Sequence, residues 1–451
     1  MELKAEARHI FDDARKRVGL DRVMRQYVRV ERGMLQLGEL SYEIAAFRRI
    51  VLVAIGKAAV PMTEEVLLAL ANVLSPTQSL EGVAVGATAP GRPDRRVRYF
   101  MGSHPLPDER SVAAADTILE LLSTCDEQCL VLLLLSGGAS SMVEKPLLPS
   151  MSIEDAATLH RALVHSGLPI AQMNALRKHF SAVKGGRLAV AAGRASLCTM
   201  IVSDVPPAAM DVVGSGPSLP DPSTSQECRD LVRDHAAALR LTDKLRLYFE
   251  DPALAETPKK GDAALANAQF ELLLSSDDLC KAAQESAEAR GFAVTVDNRC
   301  DEWNYRDAAQ YLLDRAEALR QHHAQVCLLS AGEISVPLGT THGQGGRNQH
   351  FVLECVRLAR ERGADVTVLS AGSDGVDGNS PAAGAVADSR TAERAAALGL
   401  SVEGALADFD SYNFFSALGD ALVTGPTGNN LRDFRILLVT HSPNHDPATR
   451  A

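Results

Sequence analysis

Residues 341–350 read THGQGGRNQH: three glycines, a single arginine, Arg347, and no apolar periodicity that would pack it. A guanidinium in such a stretch can fork onto phosphate or carboxylate oxygens, and the glycines avoid crowding the ligand. A second group lies in residues 173–183, MNALRKHFSAV, followed by Lys184, Gly185-Gly186 and Arg187. At helical spacing Met173, Leu176, Phe180 and Val183 share one face, which Arg177, Ser181 and Lys184 border. The glycine pair predicts the end of that helix. Cations clustered in a chain of net charge -11 point to an anion site. Arg177 and Lys184 fit that reading, whereas Lys178 reads as a solvated basic face. A third group is made of Gly-rich turns, Ser136-Gly137-Gly138 and Gly214-Ser215-Gly216-Pro217, whose backbone N–H groups can bind anionic oxygens.

These groups need a scaffold. Continuous apolar runs recur at residues 50–55, 130–135, 199–202, 272–274, 326–329, 366–369 and 436–439. Unbroken runs predict strands buried on both faces, as in a parallel sheet covered by helices. Residues 155–165 and 306–322 have helical length and pattern between them, so the chain is expected to be α/β. Run after run ends in the same vocabulary: Gly56-Lys57-Ala58-Ala59, Ser136-Gly137-Gly138-Ala139-Ser140, Ser203-Asp204, Ser330-Ala331-Gly332-Glu333 and Ser370-Ala371-Gly372-Ser373-Asp374. In open α/β sheets the carboxyl ends of the strands are where ligands bind.

A length of 451 residues predicts two domains. The polar stretch 242–267 is the expected boundary, with a second near 405–412. The acidic balance argues against nucleic acid or an anionic membrane as partner, and no run of 18 uncharged apolar residues occurs. Eight scattered cysteines form no CxxC pair, and the charged first residues lack the apolar core of a signal peptide; reduced thiols in a cytoplasmic protein are expected. Neither GxxxxGK[ST], HRD, DFG nor GxGxxG occurs; Asn348 breaks the last of these in residues 343–348. Asp374 and Asp377 make half a calcium loop, with Val376 where a ligand would stand.

The motifs together resemble the MOFRL-containing glycerate 2-kinase family. GKAA (56–59), GSHPLPDE (102–109), LSGGASS (135–141), MNALRKHFSAVKGGRLA (173–189) and SDV (203–205) carry the resemblance. It continues through GSGPSLPDPST (214–224), GQGGRNQ (343–349), SAGSDGVDG (370–378) and TGPTGNN (424–430). It implies transfer of the ATP γ-phosphoryl group to the 2-hydroxyl of D-glycerate with Mg²⁺ or another divalent cation. It further implies a larger Rossmann-like α/β/α sandwich (1–254 with 409–451), a smaller α/β domain (255–408) and an active site in the cleft.

By the same resemblance Lys57, Asp204 and Arg347 are catalytic. With that reaction in view, the residues themselves are expected to divide as follows: Ser136, Gly137, Gly138, Ser140, Ser215 and Gly216 hold phosphates, Asn174, Arg177 and Lys184 hold glycerate, and Asp204, Asp374 and Asp377 are metal candidates. Whether Asp204 is a base or a metal ligand stays open, as does a homodimer. Hydroxypyruvate reduction and non-catalytic binding of small hydroxy acids are the alternatives. The chain departs from the family pattern at Pro207-Ala208-Ala209-Met210-Asp211 and at His350.

Overall fold

The computed structural model describes residues 2–205, 207–337 and 343–440. The chain divides into two compact units, residues 20–275 and residues 1–19 with 276–451.

The unit 20–275 opens with an antiparallel meander, β1 (Val28–Glu31), β2 (Met34–Leu37) and β3 (Leu40–Glu43). Six strands then build one sheet: β4 (Arg49–Ile55), β5 (Ser79–Gly86), β6 (Val97–Met101), β7 (Cys129–Ser136), β8 (Ser196–Val202) and β9 (Ala268–Leu274). All neighbours are parallel, in the order β6-β5-β4-β7-β8-β9. This is the doubly wound order, with its switch point between β4 and β7. Every residue of β7 is buried, which is why its run CLVLLLLS carries no polar alternation. Val53, Leu133 and Ile201 from the sheet pack with Ile118 and Leu122 from helix Glu109–Ser123. A satellite core of Leu159, Leu163, Leu176, Phe180 and Phe249 seats helix Ile170–Phe180. That helix starts and stops earlier than the residue pattern predicts. Ser181 is already extended, and Gly186, at φ 82°, caps the next helix, Arg187–Ala191.

The second unit holds β10 (Ala293–Val296), β11 (Gln325–Ala331), β12 (Thr367–Gly372), β13 (Gly384–Ala387), β14 (Ala421–Leu422) and β15 (Asp433–Thr440) in the order β10-β11-β15-β12-β13-β14. Only β10 and β11 are parallel among these described pairs. Helix Leu3–Arg17 belongs to this unit: Lys4 Nζ lies 2.8 Å from Asp420 Oδ2, and Asp13 pairs with Arg290 at 2.9 Å.

This division corrects the expected one. Residues 409–451 are expected in the larger domain, yet β15 lies between β11 and β12, with Leu437 opposite both Leu328 and Val368. An antiparallel insertion needs no crossover helix, so a late strand can complete an existing sheet. The polar stretch 242–267 is likewise no boundary. It includes helix Asp243–Glu250 and leads into β9, the last strand of the first sheet, so the break falls after Ser275.

Candidate active site

In the unit 20–275 the site forms where β4, β7 and β8 end side by side. Gly56, at φ 122°, sits so close to Ser136 that any Cβ would overlap its carbonyl. Two bonds lock the neighbouring turns: Lys57 N–H to the Gly137 carbonyl (2.9 Å) and Ala58 N–H to Ser136 Oγ (3.0 Å). Ser136 is therefore a buried tie between loops. Gly137 faces Asp204 at the end of β8; a Cβ there would overlap Oδ2 and lie 2.8 Å from Cγ. Gly138, at φ 85°, brings the chain against Lys57 Cγ and His104 Cδ2, where its Cβ would be 3.3 and 3.4 Å away. Burial and the Lys57 ammonium lower the His104 pKa, so that ring is neutral at physiological pH.

Beyond Gly138 a chain of polar side chains runs to a second cation. Ser140 Oγ is 3.0 Å from Ser215 Oγ, which donates to Asn174 Oδ1 at 2.8 Å. Arg177 Nη1 reaches Asn174 Oδ1 at 3.5 Å, and its buried Nε has no partner. Neither Arg177 nor the exposed Lys57 has a carboxylate partner among the described residues. In a chain this acidic, cations left unpaired beside hydroxyls and glycine turns are available to an anion.

Lys184 does not join them. It is 1% exposed and bonds Glu144 Oε2 at 2.6 Å and the Val143 carbonyl at 3.2 Å, while His160 Nε2 lies 3.3 Å from the same carboxylate. Burial pushes the Glu144 pKa up, but Lys184 and His160 bring it down to about 2. The glycerate-binding expectation for Lys184 is corrected accordingly: with the helix ending at Phe180, Lys184 turns inward. Lys178, expected on a solvated face, is also buried, at 2% exposure.

The second unit holds Arg347 and both remaining acids. Arg347 is not in a loop; it is the first residue of helix Arg347–Arg362. Its Nε lies 2.6 Å from Asp433 Oδ2 and its Nη1 2.8 Å from Glu333 Oε2. Burial lowers its pKa, and Asp433 and Glu333 more than reverse this. The glycines before it serve packing. Gly346 lies against Asp377, where a Cβ would overlap, and Gln344 N–H and Gly345 N–H bond Asp410 Oδ1 and Asn379 Oδ1, each at 2.8 Å. Thr341 and His342 lie outside the described residues.

Asp377 is 2% exposed, and its two oxygens accept four N–H bonds, from Asn348 N and Nδ2 and from Gln349 N and Nε2. It caps the helix from a distance in sequence, so its metal assignment is corrected. Asp374 is partly exposed and its Oδ1 accepts from Val376 N–H at 3.0 Å. Among the described residues no three His, Cys, Asp or Glu side chains gather as a metal cluster. His104, Glu144, Asp433 and the role of Glu333 were missed in the sequence; Glu333 stood in a quoted strand-end turn, and its offset from the run was the available signal.

The switch-point position, the glycine turns and two cations with no carboxylate partner among the described residues define a doubly wound α/β protein suited to a small anionic, phosphate-bearing ligand. The chain belongs to the MOFRL-containing glycerate kinase family: residues 6–250 match the model described as Domain of unknown function (DUF4147) and residues 326–433 match the MOFRL family. It is 33% identical to the D-glycerate 2-kinase of Thermotoga maritima, over 87% of this chain and 91% of that one. A protein of Agrobacterium vitis named putative hydroxypyruvate reductase is also 33% identical, over 87% of each chain. The crystal structure of glycerate kinase from Thermotoga maritima matches with a TM-score of 0.81 at 30% identity, covering 97% of this chain and 99% of that one. No described helix is long and apolar enough to cross a membrane.

Proposed function

We propose that this chain is an ATP-dependent D-glycerate 2-kinase, forming 2-phosphoglycerate and ADP. The observation that carries the reading is the placement of Asp204 against Gly137 at the switch-point edge, in the loop cluster that also holds Lys57 and Arg177, two cations with no carboxylate partner among the described residues. Phosphoryl transfer needs positioning and neutralised charge more than covalent help. Arg177, with Asn174, Ser140 and Ser215 around it, orients the glycerate carboxylate and hydroxyls. Lys57 and the N–H groups of the Gly137-Gly138 turn hold phosphate oxygens. Asp204 either accepts the proton of the attacking 2-hydroxyl or orients the divalent cation.

That cation commonly uses one or two carboxylates together with substrate phosphates; Asp204 and Asp374 are each a carboxylate of the donor type it takes, while Asp377, with both oxygens occupied, does not fit. When bound, it neutralises charge on the phosphates. Arg347 enters the proposal through its charge, which Glu333 and Asp433 hold in place.

The name of the Agrobacterium vitis relative favours a second reading, reduction of hydroxypyruvate. One pair of assays separates the two. With ATP, Mg²⁺ and D-glycerate, ADP release and a phosphorus NMR signal for the 2-phosphate ester are expected. NAD(P)H oxidation by hydroxypyruvate, with no ADP release from glycerate, would overturn the kinase reading.

A further inference from the structure

Helix Ile170–Phe180 presents Asn174 and Arg177 to the candidate site, and the next residue, Lys178, points elsewhere. Its ammonium lies 2.6 Å from Asp211 Oδ2 and 3.1 Å from Asp221 Oδ1. The Asp221 side chain is fully buried and further bonded by Thr257 Oγ1 at 2.8 Å and Ser223 N–H at 3.1 Å. Asp221 is thus an anchor, whereas Asp211 is partly exposed and sits in the 3₁₀ stretch Pro207–Ser215.

That stretch has Asp204 just before it and Ser215-Gly216 at its far end. Ser215 is held at φ 61°, a conformation costly for a residue with a side chain. Such strain persists only where surroundings over-determine it, and here they do. Ser215 Oγ bonds Asn174, its carbonyl accepts from Gly185 N–H at 3.0 Å, and Gly216 packs so closely on Asp211 that a Cβ would be 2.7 Å from the Asp211 carbonyl.

We infer that Lys178 is a positioning residue: through Asp211 it clamps the stretch 207–216 to the helix that carries Arg177, and so sets the spacing between the Arg177 guanidinium and the Asp204 that precedes the stretch. Lys178 is itself 2% exposed, with its ammonium taken up by the two carboxylates. Two carboxylates on one ammonium also explain the economy of the arrangement. One pair joins the helix to the fixed body of the unit, and the other joins it to the excursion that carries the reactive acid.

The inference rests on the kinase reading for its kinetic arm, and a second arm is independent of activity. Asp211→Asn keeps an oxygen for Lys178 but removes the charge that holds it; Lys178→Met removes both bonds. In Asp211→Asn, amide hydrogen exchange across residues 207–216 should accelerate while the strands β4 and β7 stay protected. With ATP and D-glycerate its kcat should fall roughly tenfold, and that of Lys178→Met roughly a hundredfold, with KM for ATP within about twofold of the parent. Lys178→Arg should recover part of kcat in the folded protein.

If Lys178→Met does not fold, Asp211→Asn alone decides. Unchanged exchange across 207–216 in that variant overturns the clamp. So does faster exchange there with an unchanged kcat, because the spacing would then not matter. A parent protein that releases no ADP refutes the kinase reading, and the exchange arm still decides the clamp.

Discussion

Gly137→Ala tests the site at the atom on which the proposal turns. The added methyl would lie 2.8 Å from Asp204 Cγ and would overlap Oδ2. Ordinary contact to a carbon begins near 3.4 Å. Gly137 is not among the positive-φ glycines, so alanine brings no backbone strain of its own. The carboxylate must therefore retreat by about 1 Å, a displacement that costs about a hundredfold in rate when it falls on a reacting group. That corresponds to about 2.7 kcal/mol of transition-state stabilisation. Steady-state kinetics with D-glycerate and ATP should show this loss in kcat, with thermal unfolding close to that of the parent.

Asp204→Asn supplies the control. If Gly137→Ala acts only through Asp204, the double variant should be no slower than Asp204→Asn alone, a coupling that a mutant cycle measures directly. Additive losses would mean that the methyl blocks a phosphate instead. A Gly137→Ala enzyme with normal kcat would refute the placement of Asp204 at the reacting centre.

Arg347→Ala should lower kcat by about 10²–10³, and it should also lower stability by about 1–3 kcal/mol, because buried Asp433 loses its partner; kcat left intact would remove the charge role. Lys184→Met should cost about 3–5 kcal/mol in urea unfolding, since Glu144 is left buried with no cation but His160 and one backbone bond, from Lys145 N–H, while KM for glycerate stays unchanged in the folded enzyme; a raised KM without a stability loss would restore the ligand role. His350 is 2% exposed, packs on Tyr305 and Phe409, and its ring nitrogens have no partner among the described residues. Burial lowers its pKa to about 4, so its contribution is full above the unfolded value near 6.5 and is lost as pH falls toward 4. Between those limits the parent should lose about 3 kcal/mol more than His350→Phe, read as the difference between their urea unfolding curves; parallel pH profiles would show that the ring is solvated.

The strands were legible because burial on both faces leaves an unmistakable run of apolar residues: 50–55, 130–135, 199–202 and 436–439 all lie in strands. Pairing direction was not. The run at 436–439 is as apolar as that at 130–135, yet one is antiparallel on both sides and the other parallel on both. Direction depends on connection geometry, which residue type does not encode. Lys57, Asp204 and Arg177 stand out in the sequence because strand ends and helix faces put small and charged residues where loops converge, and the structure brings Lys57 and Asp204 to one strand edge. Lys184 and Asp377 misled for the opposite reason. A charged side chain looks the same in sequence whether it meets a ligand or is consumed by Glu144 or by the first N–H groups of a helix.

The central place of β15 bears on how the chain is made. On a ribosome the residues 20–275 emerge complete and can close their parallel sheet while synthesis continues. Helix Leu3–Arg17, made before residues 20–275, has its partners after residue 275 and must wait for them. Those partners in turn surround a gap until 433–440 arrive, because β11 and β12 bond to β15 and not to each other. A nascent chain stopped at 432 would therefore hold two unpaired strand edges facing one another, a template for foreign strands. β15, made after both of its neighbours, is the strand that silences both.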